Sequence, residues 1–266
     1  MNLEQEIRDF NVKPGTVACL WMGQASYLFK SPQGVIVMID PYLSDWAEEQ
    51  WGLERQIPPA FNPDTLAPDL LLVSHWHEDH FDVPVVKKWA KLENPGQFVG
   101  PPTCTVRMSV WGWPQDRIHT ITTGGHFQHQ DVSVTATFAR HDTPFAPTVD
   151  EVGFLLDIGG FTIWYVGDTE YDARLRAYAN ESIDVAIVPI NGVGGNIRGD
   201  EAALLMALIQ PRVAIPMHYN MWRPEDFGAG ATLDPELFRE THHKLEGSAK
   251  IQILPVSELV TLGIDA

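Results

Sequence analysis

Apolar positions along the chain fall mostly in short runs between polar, turn-forming segments. Val17-Ala18-Cys19-Leu20-Trp21 and Val35-Ile36-Val37-Met38-Ile39 are continuously apolar or rich in β-branched residues, and predict strands at about 16–22, 26–31 and 35–39. Leu70-Leu71-Leu72-Val73 is a further run of this type. Val132 to Phe138 alternates apolar with polar, and two more strand-like segments end at Val166-Gly167 and at Met217. Helical spacing occupies the intervals. Asp82 is placed to cap a helix with Pro84 in its first turn and Val83, Val86, Trp89 and Ala90 on one stripe. An amphipathic helix is expected over 103–111, another from Asp200, whose carboxylate would cap it, to Ile209 before Pro211, and a last one near 234–246 ahead of strands at 250–255 and 258–262. Such alternation predicts a layered α/β fold. The stretch from Asp45 to Pro68 has no clear period and reads as a loop or short helical pieces; its Trp46 and Trp51 either wall a site or fill the core.

One cluster carries most of the chemical information. His75-Trp76-His77-Glu78-Asp79-His80 places three imidazoles and an aspartate directly after the apolar run at 70–73. Imidazole and carboxylate are usual ligands for zinc and also suit manganese and iron(II). Alternate residues of an extended tail share a side, so His77 can join His75 on one cation. The turn into the next helix then re-aims Asp79 and His80 toward a second. This loop alone cannot complete two coordination shells. His141, Asp168 and His218 all lie at or just beyond strand ends, where α/β folds gather their chemistry.

These residues resemble the metallo-β-lactamase superfamily. Asp40 in Val37-Met38-Ile39-Asp40-Pro41, the His-x-His-x-Asp-His loop, His141, Asp168 in Gly167-Asp168-Thr169, and His218 match its five motifs in order. The resemblance implies an α/β four-layer αβ/βα sandwich, two mixed sheets flanked by helices. It further implies His75, His77 and His141 on one metal, Asp79, His80 and His218 on the other, and Asp168 between them. Within the superfamily the chain is most similar to the L-ascorbate-6-phosphate lactonase group, through Leu20-Trp21-Met22-Gly23-Gln24-Ala25, the 98–104 and 111–114 segments, Asn196-Ile197-Arg198-Gly199 and Pro216 to Trp222. The lactonase is a longer chain.

The expectation is therefore a metal-dependent hydrolase, a lactonase acting on a small sugar-type lactone, phosphorylated or not, through a metal-bound hydroxide. Two divalent ions, zinc or manganese ahead of iron, would serve it. Asp79 is expected to orient the water and relay its proton. Asp40 would hold a ligand imidazole in the correct tautomer. Tyr219 and Asn220 are candidates to donate to an oxyanion, with packing at a strand end as the alternative. Arg198 would grip a phosphate or carboxylate, or else pair with Asp200 or Glu201. A phosphodiesterase is the rival hydrolase. An iron-dependent oxidoreductase ranks below it, because the diiron pattern of the superfamily has Glu where His77 stands and no flavin domain follows.

Composition narrows the partners. The chain has 266 residues, 44% of them hydrophobic, and candidate ligands spread from 75 to 218 must converge, so one domain over 1–266 is expected. The formal net charge of −17, from 18 Lys+Arg against 35 Asp+Glu, disfavours nucleic acid, whose binders carry clustered cations. A small anion remains compatible, since two divalent cations less two aspartates leave the pocket at about +2. Cys19 and Cys104 have no CxxC partner and read as free, buried thiols. The Met1-Asn2-Leu3-Glu4-Gln5-Glu6 start lacks a basic, apolar leader, and no apolar run approaches the ~20 residues that span a bilayer, so a soluble cytoplasmic protein without a membrane partner is expected. The subfamily likeness adds a homo-oligomer. His242 and His243 are expected to face solvent.

Overall fold

The structure, a computed structural model, describes residues 2–143 and 147–263. Its strands, in chain order, are β1 (Thr16–Trp21), β2 (Tyr27–Lys30), β3 (Ile36–Ile39), β4 (Leu70–Leu72), β5 (Gln97–Gly100), β6 (Ile118–Thr120), β7 (His126–His129), β8 (Val132–Phe138), β9 (Val152–Ile158), β10 (Phe161–Tyr165), β11 (Val185–Pro189), β12 (Val213–Met217), β13 (Lys250–Ile251) and β14 (Leu259–Gly263). They form two sheets, ordered β14-β1-β2-β3-β4-β5-β6 and β13-β12-β11-β10-β9-β8-β7.

Both sheets follow one plan. From β14 to β3 every pairing is antiparallel, and from β3 to β6 every pairing is parallel. From β7 to β10 the pairings are antiparallel, and from β10 to β13 parallel. The shape is thus repeated although no sequence repeat is visible. The consequence for chemistry is direct: β8, β10, β11 and β12 run the same way within the second sheet, as β3 and β4 do in the first, so the segments following them emerge on common edges.

Strand alternation explains the layers. Val17, Cys19 and Trp21 of β1, with Leu70, Leu72 and Val99, join the core between the sheets, which also takes Val134, Phe154 and Ile163 from the second sheet. Leu20, Leu71, Val73 and Phe98 point to the opposite face and pack on Val85, Val86, Trp89, Cys104 and Met108. Burial on both faces is why these strands read as unbroken apolar runs. The outer residues come from helices. In chain order these are α1 (Leu3–Asp9), α2 (Trp46–Trp51), α3 (Val83–Trp89), α4 (Pro102–Val110), α5 (Gly199–Ile209), α6 (Pro224–Phe227) and α7 (Pro235–Lys244). Helices α3 and α4 cover the first sheet, while Ala202, Leu205 and Met206 of α5 and Phe238 of α7 close the second. Lys30 ties α1 to the first sheet by donating to the carbonyls of Ile7, Arg8 and Phe10 near that helix's C-terminal end.

Several expectations need correction. The strand expected over 250–255 is only Lys250–Ile251. Strands β9 and β11 are not anticipated although both are largely apolar, whereas the 45–68 stretch holds a short helical piece, α2, as expected. Asp200 does not cap α5. The N-cap is Arg198, whose backbone N–H donates to Glu201 Oε2 at 2.9 Å, and Asp200 sits in the first turn. His242 is buried at 2% exposure while His243 is exposed. Gly247 explains that burial: a Cβ there would lie 2.2 Å from His242 Nε2, so only glycine lets the chain after α7 pass against the imidazole. Cys19 and Cys104 are free and buried. Among the described residues no helix is long and apolar enough to cross a membrane.

Candidate metal centre

Every one of the seven candidate ligands follows a strand end on the edges just described, and all seven are buried, at 0–5% exposure. The 75–80 loop leaves β4 and turns at once, with His80 N–H and Phe81 N–H both donating to the His77 carbonyl. Asp82 anchors its exit. It caps α3 through Val85 N–H and also accepts from Leu43 N–H, Ser44 N–H and Ser44 Oγ–H, which locks the loop to the segment after β3.

Asp40, just after β3, holds the loop from the other side. Its Oδ1 accepts from Ser74 N–H at 2.7 Å; its Oδ2 accepts from Ser74 Oγ–H at 2.5 Å, Tyr165 O–H at 2.7 Å and His80 Nδ1–H at 2.8 Å. The backbone at Asp40, Gln24, His218 and Asn220 is left-handed, with φ between 46° and 64°. Four strained non-glycine positions around one cluster mark a place where the surrounding structure overrides local preference.

The hydrogen-bond partners assign the ring protons. His141 Nδ1 faces the Gly195 carbonyl at 3.1 Å, so it carries the hydrogen and Nε2 presents a lone pair. Ser74 Oγ donates to Asp40 and accepts from His75 Nδ1 at 3.0 Å, which leaves His75 Nε2 a lone pair as well. Both lone pairs converge on His77 Nδ1, at 2.9 Å from His75 and 3.1 Å from His141. One nitrogen can offer one hydrogen at most, so at least one of these contacts sets lone pair against lone pair. A cation resolves that conflict. Burial, reinforced by the imidazoles of His80, His77 and His141, holds His75 well below its ordinary pKa and keeps it in the neutral, ligating form.

The second group has the same character with more negative charge. Asp79, His80 and His218 bring ligand atoms within 4.8 Å of one another, as do His75, His77 and His141. His80 Nε2 and His218 Nε2 each lie 3.6 Å from Asp79 Oδ2. Asp168 Oδ2 stands between the groups, 3.0 Å from His218, 3.3 Å from His80 and 3.7 Å from His141, while its buried Oδ1 has no hydrogen-bond partner. Burial alone would lower His80, but Asp168, Asp79 and Asp40 outweigh it and lift the ring well above its ordinary pKa. Burial likewise opposes ionisation of Asp168, and His218 and His80 overcome it, holding the carboxyl well below the usual range.

Residues 19–218 match the family described as a β-lactamase superfamily domain. The chain belongs to the metallo-β-lactamase superfamily. Its relatives are proteins of the UPF0173 family named metal-dependent hydrolases. One from Carboxydothermus hydrogenoformans is 30% identical over 214 residues, covering 76% of this chain and 84% of the relative. Another, from Polynucleobacter asymbioticus, is 29% identical over 222 residues, covering 77% and 75%. The metallo hydrolase Igni18 from Ignicoccus hospitalis shares the fold at a TM-score of 0.73 and 21% identity, over 92% of this chain and 98% of that one.

Against this superfamily fold, the remaining candidates separate. Tyr219 is a core residue: 3% exposed, its ring 5.1 Å from Trp21, its hydroxyl without a partner and pushed up in pKa by burial. The ring packs with Trp21 in the core between the sheets, the alternative weighed for it. Asn220 is exposed. Arg198 is exposed and pairs with Asp200 at 3.2 Å, the alternative weighed for it. Residues around the donors that sequence reasoning passed over are Gln24, whose Nε2 donates to Asp79 Oδ2 at 2.8 Å, Asn196, whose Nδ2 donates to Asp168 Oδ2 at 2.8 Å, and the Gly195 carbonyl. Gln24 and Asn196 lay inside segments quoted for the family likeness, and no spacing rule distinguishes them there.

Proposed function

We propose that this member of the superfamily is a metal-dependent hydrolase that opens a small lactone or ester. The observation that carries the reading is the pair of lone-pair-rich donor groups, His75/His77/His141 and Asp79/His80/His218, with Asp168 Oδ2 within 3.7 Å of imidazoles from both. The imidazole and carboxylate set suits zinc or manganese. Cations held there supply a polarised carbonyl and water of pKa near ~7. The chain's own groups do the rest. Asp40 keeps His80 in the tautomer that aims Nε2 inward, and Gly195 does the same for His141. Gln24 donates to Asp79 Oδ2 and Asn196 to Asp168 Oδ2, which fixes both carboxylates, and the buried Oδ1 of Asp168 has no hydrogen-bond partner. Asp79 is the residue assigned to orient water and carry its proton toward the departing alkoxide.

The lactone reading rests on the likeness to the ascorbate-phosphate lactonase group. A phosphate on the substrate would have to draw Arg198 away from Asp200, a surface pair worth ~1 kcal/mol or less. The test is turnover of a panel of lactones, phosphodiesters and β-lactams by protein loaded separately with zinc and manganese. Lactone turnover that falls at least ~100-fold in Asp79→Asn and His77→Ala, with folding intact, is the expected result. Preferential phosphodiester turnover, or lactone turnover unchanged by both substitutions, would refute it.

A further inference from the structure

We propose that Trp51 and Trp222 form a substrate-seating wall and that the hydrolase selects substrates bearing an apolar group, aryl or alkyl, next to the scissile bond. The inference rests on the reaction proposed above and adds the class of substrate. Trp51, at the end of α2, stands edge-on to His77 with ring centroids 6.0 Å apart. Trp222 stands edge-on to His218 at 6.4 Å, and the two indoles lie 6.4 Å from each other. The pair therefore spans from an imidazole of one donor group to an imidazole of the other, so a molecule engaging both groups meets indole.

Two features distinguish this wall from ordinary core. Trp51 is 38% exposed, whereas Trp21, Trp89, Trp113 and Trp164 are buried; Trp222, at 7% exposure, is the inner half of the wall and Trp51 its open face. Trp222 packs into a separate apolar cluster with Tyr42, Ala47, Met221 and Phe227, apart from the two larger cores, so the wall has its own apolar backing. Trp222 and Phe227 are 5.4 Å apart within it. Arg55, stacked on Tyr42 of this cluster at 4.6 Å, is already engaged: it donates to the carbonyls of Ile57 and Ser44 at 2.7 and 2.8 Å. A wall of indole backed by apolar side chains, with that guanidinium committed, favours an apolar group over a phosphate.

The experiment measures calorimetric binding of 4-phenylbutyrate and butyrate, as product-like probes, to metal-loaded wild type, Trp51→Ala and Trp222→Leu. Wild type is expected to prefer the phenyl compound by on the order of 10-fold, and Trp51→Ala, altered at an exposed position, to lose that preference with metal content and Tm unchanged. Trp222→Leu is the second arm and is scored only through the same preference. Equal or undetectable binding of the two probes by wild type, a preference that survives Trp51→Ala, or tighter binding of a trimethylammonium analogue would overturn the assignment. Turnover of γ-butyrolactone and its γ-phenyl derivative separates the two readings. Phenyl-selective binding without lactone turnover removes the lactonase and leaves the wall, whereas lactone turnover with no phenyl preference removes the wall and leaves the lactonase.

Discussion

Replacing Asp40 by asparagine changes one atom's chemistry and almost nothing in shape, which makes the outcome calculable. The carboxylate accepts four hydrogen bonds, one on Oδ1 from Ser74 N–H and three on Oδ2 from Ser74 Oγ–H, Tyr165 O–H and His80 Nδ1–H. An amide offers one oxygen and one NH2. If nitrogen takes the Oδ2 position, it confronts His80 Nδ1–H; if it takes Oδ1, it confronts the backbone N–H of Ser74, which cannot rotate away. The cheaper answer is for His80 to move its hydrogen to Nε2, and that removes the lone pair aimed at the second donor group. Loss of such a supporting partner costs about 10–100-fold in metal affinity, or roughly 1.4–2.8 kcal/mol at 1.4 kcal/mol per tenfold. A further ~1–3 kcal/mol of stability goes with the poorly satisfied buried group. Chelator-competition titrations on Asp40→Asn and wild type, with Tm of both metal-free proteins, read the two effects separately. The expected pattern is one ion weakened by that factor while the ion at His75, His77 and His141 is retained. Two ions bound with wild-type affinity would refute the reasoning, because His80 could not then depend on Asp40 for its tautomer.

Two other predictions follow from the same geometry. Gly195 has φ +84°, and a Cβ there would lie 3.1 Å from both His141 Nδ1 and the Asp142 carbonyl, so Gly195→Ala should cost ~1 kcal/mol or more of stability and lower affinity at the His141 ion; unchanged chelator competition would count against it. Because Asp168, Asp79 and Asp40 lift His80 well above its ordinary value against the pull of burial, its stabilisation of the metal-free protein is fully present below the unfolded value of ~6.5 and is lost as pH rises through the higher folded value. Loading the second ion at pH 7 should therefore release a proton, and apparent affinity should rise with pH. Calorimetry in buffers of different ionisation enthalpy measures that release, and its absence in wild type would show His80 already neutral.

The order of motifs, with residue types whose lone pairs suit a divalent ion, was enough to establish the superfamily and the two-sheet α/β fold before any coordinates. Runs such as 17–21 and 70–73 identified strands because burial on both faces leaves no polar position. Beyond that, local pattern ran out where contacts are distant in the chain. Nothing near His242 or Gly247 announces that one vanishes under the other, and Tyr219 reads as well for a pocket as for a core until its packing against Trp21 is known. Gln24 reaches Asp79 across 55 positions and Asn196 reaches Asp168 across 28. The wall of Trp51 and Trp222 likewise depends on α2 and the segment after β12 meeting over the donors. Sequence alone determined which atoms were available to hold a cation, since that is a property of side-chain chemistry. Tertiary structure decided which lone pairs face one another, which carboxylate oxygens are spoken for and what a substrate would touch, since those follow from distances that only the packing of the two sheets sets.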